Sequence, residues 1–327
     1  MQTRYIPNAE QVALAGTIEE SLAPLLPLSR VHASPVESAA IWASLAEVGI
    51  FGISLPEERG GSGLGAVEEA LIVLALGQRL VAPAVLATIG AAPRLPGVNI
   101  TSPSGDSAVE PGARCVAAAY RRGGRTIVVE DCAADLVLVR DGASAGLYDL
   151  SACASHPLED RLWLDGLREL VGLGEPVARF EAFGLLRLRL IDAAALSGIS
   201  QAALEMSVAY AGTRAQFGRP IGSFQAIKHH CANMAMSARR ARDQTCFAAV
   251  AVDERRDDAA LQVECALYVA GQAALDNAGR NIQIHGGIGF SDEADPHLLL
   301  KRAQLLITVA GGLEAANERI ADIQWGG

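Results

Sequence analysis

The residues best suited to bind a ligand lie in one segment, Thr213-Arg-Ala-Gln-Phe-Gly-Arg-Pro-Ile-Gly-Ser-Phe-Gln225. Apolar spacing predicts a helix that ends in this segment and another that begins after it. An arginine at such a boundary, Arg214, offers a planar fork of donors, and the free amide hydrogens of the next helix add positive potential. Both features suit an anionic group such as a phosphate. The residues alone leave open that Arg214 is a solvated helix-end cation and that Phe217 and Phe224 belong to the core.

A second candidate segment, Gln283-Ile-His-Gly-Gly-Ile-Gly-Phe290, follows about seventy residues after Arg214. Glycines without a Cβ let a ligand lie against the backbone, and Gln283 offers both donor and acceptor groups. A glycine turn that ends a helix would use the same residues. His285 and the pair His229-His230 have no carboxylate or cysteine at a recognisable metal-site spacing, so we expect no metal site.

The elements that must position these segments form three blocks along the chain. Residues 1–94 are predicted to be an N-terminal helical domain, interrupted by the glycine-rich loop at 55–63. Residues 95–185 lose the helical periodicity, and their short apolar runs predict a small β domain. Residues 186–327 are predicted to form an antiparallel four-helix bundle. The strands are expected at 115–119, 126–130 and 136–140, and the bundle helices at about 187–215, 221–252, 256–280 and 296–322.

The composition excludes several classes of protein. A chain of 327 residues, 50% hydrophobic and 20% charged, can bury a large core in two or three domains. A net charge of −10 argues against a nucleic-acid partner. The six cysteines include no C-x-x-C pair, which favours reduced thiols. The N-terminus lacks a signal-peptide layout and no apolar run is long enough to cross a bilayer, so we expect a cytoplasmic protein.

Four phrases of the sequence together resemble the acyl-CoA dehydrogenase family. Besides the two candidate segments, they are Trp-x-x-Leu-x-Glu-x-Gly-x-x-Gly at 42–52 with Pro-Glu-Glu-x-Gly-Gly at 56–61, and Leu-Leu-Leu-Lys-Arg-Ala at 298–303. The resemblance implies a mainly α fold with a small β middle domain, and FAD as the cofactor. It also implies residues that reach the FAD bound chiefly by a neighbouring subunit: Arg214, Gln216, Phe217, Phe224, Gln225, Gln283, Gly286 and Gly287.

The same resemblance exposes the loss of the catalytic base. In the family, the Glu of a Tyr-Glu-Gly-Thr tetrapeptide takes the proton from the substrate's α-carbon. A gap-free count from Gly286-Gly287 places Ala310 at that position, and Leu188 stands at a second position used by some members. Neither side chain accepts a proton. Asp192 and Glu314 lie one helical turn beyond these positions and are the only substitutes we consider, although such acids are commonly surface charges.

The middle domain also departs from the family pattern. The stretches that line the flavin ring, Thr-Glu-Pro-x-x-Gly-Ser-Asp and Trp-Ile-Thr/Ser, are absent, and 127–132 is the nearest match to the second.

The chain most resembles the short subunits of actinobacterial heteromeric α2β2 acyl-CoA dehydrogenases that act on steroid-derived CoA thioesters. This implies an FAD site shared with a full-length catalytic subunit, an acyl-CoA substrate, and an electron-transfer flavoprotein-type acceptor for the complex. Two alternatives remain open: a self-sufficient homo-oligomeric enzyme with a relocated base, and a flavin-free structural or binding protein.

Overall fold

The chain folds into helical regions on either side of a central β-sheet. The computed structural model describes residues 6–34, 36–95, 115–129, 134–151, 153–158 and 166–325. The helices in these ranges are α1 (Ala9–Leu25), α2 (Ser29–Ala33), α3 (Ala39–Glu47), α4 (Ala66–Gln78), α5 (Pro83–Ala91), α6 (Ala182–Thr213), α7 (Gln225–Asp253), α8 (Ala259–His285), α9 (Pro296–Val309) and α10 (Leu313–Trp325). None of them is long and apolar enough to cross a membrane. The predicted fold class, mainly α with a small β middle domain, is confirmed.

Within the described residues, the central sheet has seven strands in the order β5-β6-β2-β1-β3-β4-β7. They are β1 (Val116–Arg122), β2 (Arg125–Val129), β3 (Leu136–Asp141), β4 (Ser144–Asp149), β5 (Ala154–Pro157), β6 (Arg168–Val171) and β7 (Ala178–Arg179). The central pair β1 and β3 is parallel, whereas the other neighbouring strands are antiparallel. The three expected strands correspond to β1, β2 and β3. The sequence analysis missed β4 to β7, which are short or interrupted by Gly and charged residues.

Helices α6 to α9 form the four-helix bundle, in which α8 contacts α6, α7 and α9. Alanines fill much of the bundle core, so the helices approach closely. The single helix expected over 296–322 is wrong, because α9 ends at Val309 and α10 begins at Leu313. Gly311 and Gly312 separate them with φ of +95° and +94°, which an L side chain rarely adopts. Helix α10 packs instead against α8.

The N-terminal region is fixed to the bundle where α4 crosses α6. A Cβ added at Gly198 would lie 2.1 Å from the Leu74 carbonyl oxygen, and one at Gly77 would lie 2.2 Å from that of Ala195. Only glycine permits this approach of the two backbones. The first half of α6 therefore lies between α4 and the sheet, in the interior of the molecule.

Candidate functional site

The first candidate segment is a β-hairpin that projects from the end of α6. Strands β8 (Ala215–Gln216) and β9 (Arg219–Pro220) are joined by Phe217 and Gly218, with φ of +53° and +76°. Positive φ at both turn positions matches the right-handed twist of a two-residue hairpin. A bulky residue such as Phe217 rarely adopts this conformation. Its side chain is 92% exposed, so the interpretation of Phe217 as a core residue is wrong.

Aromatic and cationic groups continue from Phe217 across the hairpin. The Phe217 and Phe224 rings meet edge to face with centroids 6.1 Å apart. The Arg219 guanidinium lies 4.3 Å from the centroid of the Phe224 ring, in a cation–π contact. Phe224 is half-buried, whereas Arg219 and Gln225 are exposed. Arg219 was not among the predicted site residues, although its position five residues after Arg214 places it in the same turn.

The second candidate segment lies beside the hairpin, because α6 and α8 end at the same side of the bundle. The Tyr210 ring, near the end of α6, stacks on the ring of His285, the last residue of α8, with centroids 4.0 Å apart. The Tyr210 hydroxyl also donates to the His285 carbonyl oxygen at 3.5 Å. The structure thus brings the two segments, 214–225 and 283–290, together on one surface, which we name the bundle-end face.

Backbone groups are open to solvent at the edge of the bundle-end face. Gly286 ends α8 with φ +66° and ψ −143°, a conformation available essentially only to glycine. A Cβ at Gly287 would meet no described atom within 4 Å, so packing does not explain the second glycine. Gln283 is exposed in the last turn of α8. A flat ligand could approach the backbone here without a steric clash.

The bundle-end face carries positive charge in an acidic protein. The hairpin and the first turn of α7 carry three cations, Arg214, Arg219 and Lys228, and the sequence contains no Asp or Glu between Glu205 and Asp243. Within the described ranges, the exposed Arg214 side chain has no carboxylate partner. Helix α7 begins here at Gln225, so its first amide hydrogens also point toward this surface. The local potential therefore favours an anion. The absence of acidic residues over this stretch is visible in the sequence as well.

The histidines considered for metal binding have other contacts. Nδ1 of His285 donates to the Asn281 carbonyl oxygen at 2.8 Å, and the Arg280 guanidinium lies 3.3 Å from Nδ1 of His230. His229 is exposed in the second turn of α7. The described residues include no cluster of three His, Cys, Asp or Glu side chains that could hold a metal ion.

The two base positions lie in the interior, away from this surface. Leu188 and Ala310 are both buried. Leu188 and Val309, the neighbour of Ala310, line the same cavity between the sheet, α5, α6 and α9. Leu188 therefore faces this cavity, whereas Ala310 packs in the core of the bundle, and both side chains are apolar.

The two substitute acids differ in their surroundings. Glu314 is exposed at the start of α10. Asp192 is buried, lines the cavity with Leu188, and accepts a hydrogen bond from Arg140 in a close ion pair. Burial raises the pKa of the Asp192 carboxyl, and the Arg140 guanidinium acts in the opposite direction. The interpretation of Asp192 as a surface charge is therefore wrong.

The middle-domain match to the flavin-lining stretch is only partly described. Residues 127–129 form the end of β2 and are buried in the sheet, while 130–132 lie outside the described residues. Strand β2 therefore contributes its side chains to packing in the part that is described.

Two protein-family models match most of the described chain. The model of the acyl-CoA dehydrogenase N-terminal domain matches residues 9–96, and that of the C-terminal domain matches 180–324. The chain therefore belongs to the acyl-CoA dehydrogenase family of oxidoreductases, whose members generally bind FAD.

Individual relatives agree with this assignment. Acyl-CoA dehydrogenase FadE34 of Mycobacterium tuberculosis is 32% identical over 293 residues, which cover 83% of this chain and 40% of FadE34. This chain thus spans well under half of that relative. Acyl-CoA dehydrogenase IpdE2 of Mycolicibacterium smegmatis is 31% identical over 267 residues, which cover 80% of this chain and 81% of IpdE2.

Two solved structures share the fold over nearly the whole chain. The ChsE4–ChsE5 complex of Mycobacterium tuberculosis contains a chain with a TM-score of 0.75 at 23% identity, with coverage of 98% of this chain and 99% of that one. A variant of the Tcur3481–Tcur3483 steroid ACAD gives a TM-score of 0.75 at 22% identity, with coverage of 96% and 97%.

The exposed groups of the bundle-end face fit one half of FAD. Arg214 and the start of α7 can donate to a pyrophosphate, and the exposed Phe217 ring can contact a flat heterocycle. All of these groups point away from the chain's own interior, as a contact to a neighbouring subunit requires. The cavity beside Leu188 does not offer comparable space for the isoalloxazine ring.

Proposed function

We propose that this chain is the non-catalytic, cofactor-clamping subunit of a heteromeric FAD-dependent acyl-CoA dehydrogenase. One contrast carries the proposal. The groups that suit FAD, Arg214, Phe217 and Gln283, are exposed at one end of the bundle, whereas both base positions, Leu188 and Ala310, are buried and apolar.

The reaction explains why the missing base matters. Dehydrogenation of an acyl-CoA removes the α-proton while hydride leaves the β-carbon, and FAD, when bound, supplies the hydride acceptor. A positioned carboxylate typically accelerates such a proton transfer by roughly 10²–10⁴-fold. In our proposal the full-length partner subunit provides that carboxylate together with most of the FAD site. This chain contributes Arg214, Gln216, Phe217, Phe224 and Gln225 with the Gln283–Gly287 turn.

The two solved structures support the assembly and the substrate class that we propose. The ChsE4–ChsE5 structure is a complex of two chains, and the Tcur3481–Tcur3483 protein is described as a steroid ACAD. We extend this to an α2β2 heterotetramer that acts on a steroid-derived acyl-CoA and passes electrons to an electron-transfer flavoprotein-type acceptor.

A second candidate function rests on Asp192. Because its carboxylate lines the same cavity as Leu188, a self-sufficient homo-oligomeric enzyme could use it as a relocated base. Against this reading, the carboxylate is engaged by Arg140. A flavin-free structural role is the third reading, and it would leave the exposed Phe217 and Arg214 without a purpose.

Co-expression separates these readings. The chain is purified alone and after co-expression with a candidate full-length acyl-CoA dehydrogenase subunit from the same genome, and acyl-CoA oxidation is followed with a dye acceptor. We expect turnover only when both chains are present, and loss of turnover when the partner's catalytic Glu is replaced by Gln. Turnover by the chain alone would favour the relocated base, and a partner enzyme that is equally active without this chain would contradict the proposal.

A further inference from the structure

Ion pairs connect one short stretch of α6 to three neighbouring elements of the fold. Three of its charged side chains form buried ion pairs in three directions: Arg187 with Glu69 of α4, Arg189 with Glu264 of α8, and Asp192 with Arg140 of β3. Arg319 of α10 also contacts Glu264 at 2.9 Å. Arg189 reaches the turn between β3 and β4 as well, where it lies 3.4 Å from the Gly142 carbonyl oxygen.

The cavity at the centre of this junction is too small for an organic ligand. Its volume is about 20 Å³, where one water needs roughly 10–15 Å³ and small-molecule pockets measure roughly 300–1,000 Å³. Its walls are apolar side chains of α5, β1, β3, α6 and α9, and its polar groups are those of Arg140 and Asp192. The space beside Leu188 therefore holds about one water.

We infer that the Arg140–Asp192 ion pair closes the cavity beside Leu188 to an acyl chain. The inference rests on the proposed function, because the cavity is identified as the acyl site by the base position Leu188, which lines it. The side chains of Arg140 and Asp192 are 11% and 6% exposed, so the pair is shielded from solvent.

The pair closes the site because it connects the two walls that would have to separate. Arg140 belongs to the sheet and Asp192 to the bundle, and an acyl chain could enter between them only by moving them apart. Such a movement would leave two buried charges without partners, which is strongly unfavourable. The geometry also accounts for the lack of a base here: the carboxylate faces a guanidinium, and no space remains for a substrate's α-carbon.

Two double variants of the full chain test this. Arg140→Ala with Asp192→Ala removes both side chains and should create an apolar cavity that binds benzene in ligand-observed NMR, as dry engineered cavities do. Arg140→Met with Asp192→Leu removes the charges but keeps the space filled, so this variant and the wild type should show no benzene binding. Benzene binding by the wild type that Leu188→Phe abolishes would overturn the inference, because it would show that the site is open.

A second measurement does not depend on how the Ala variant folds. In the co-expressed complex, the Arg140→Met/Asp192→Leu variant should keep turnover within about twofold of wild type, whereas loss of a general base lowers it by roughly 10²–10⁴-fold. A loss of that size with intact assembly and flavin content would overturn the inference and assign the chemistry to Asp192. Failure of the proposed function would be distinguishable, because it would appear as turnover without the partner while the benzene result stayed unchanged.

Discussion

Replacing Arg214 by Ala should weaken FAD binding by the assembled enzyme. A hydrogen bond to a charged group contributes roughly 1.5–3 kcal/mol, and each 1.4 kcal/mol or so is a factor of ten in affinity. The expected increase in Kd is therefore about one to two powers of ten. Arg214 is exposed in the isolated chain. If its guanidinium stays accessible to solvent in the complex, the increase in Kd should lie at the lower end of this range, because solvent screens a charged contact.

The assay is titration of the flavin-stripped complex with FAD, followed by quenching of flavin fluorescence. Arg214→Lys should give an intermediate Kd, because a lysine keeps the charge but not the planar fork. The matched control is Arg242→Ala, which removes the same charge from an exposed position of α7. Arg242 lies 17 residues beyond the first residue of α7, Gln225, which is about 26 Å along the helix.

Two results would refute the reasoning about Arg214. An unchanged Kd and flavin content in Arg214→Ala would show that the guanidinium faces solvent in the complex. An equal weakening of FAD binding in Arg214→Ala and Arg242→Ala would show that only the overall positive charge matters. A direct contact with FAD predicts an effect at Arg214, at the end of α6, and none at Arg242.

The remaining predictions concern three other side chains. Gln283→Ala should weaken FAD binding in the same titration but by less than Arg214→Ala, because a neutral hydrogen bond contributes only about 0.5–1.5 kcal/mol; an equal or larger effect would contradict this. Glu264→Gln should lower the free energy of unfolding in urea by roughly 3–5 kcal/mol, since Glu264 is 1% exposed and contacts two arginines. Its control, Glu318→Gln on exposed α10 surface, should stay within about 0.5 kcal/mol. Glu314→Gln should leave kcat of the complex unchanged because Glu314 is exposed and away from the cavity; a fall of roughly a hundredfold would identify it as the base.

The local parts of this fold were predictable from the sequence. Helical periodicity and the glycine and proline breaks around 214–225 and 283–290 are short-range signals. The predicted helix ends at about 215 and 280 therefore lie close to the observed ends of α6 and α8, Thr213 and His285. The break between α9 and α10 was also readable as two consecutive glycines, Gly311 and Gly312. It was missed because the predicted helix was continued through them on periodicity.

The interior of the site was not predictable in the same way. Arg140 and Asp192 are 52 residues apart, and Arg187 and Glu69 are 118 apart. Nothing local identifies such partners, and charged side chains are rarely buried without one. From the sequence alone, Asp192 is therefore expected to be exposed, whereas in the fold it is buried and paired with Arg140. The exposure of Phe217 was not predictable either. An aromatic residue is expected in the core, and only the hairpin geometry turns this one outward.

The most direct test of the cofactor-clamping role is to count FAD by native mass spectrometry, for this chain alone and for its complex with the full-length subunit. We expect the isolated chain to hold little or no FAD, and the complex to hold one FAD for each pair of unlike chains, reduced when Arg214 is replaced. Near-stoichiometric FAD on the chain expressed without any partner would contradict the account.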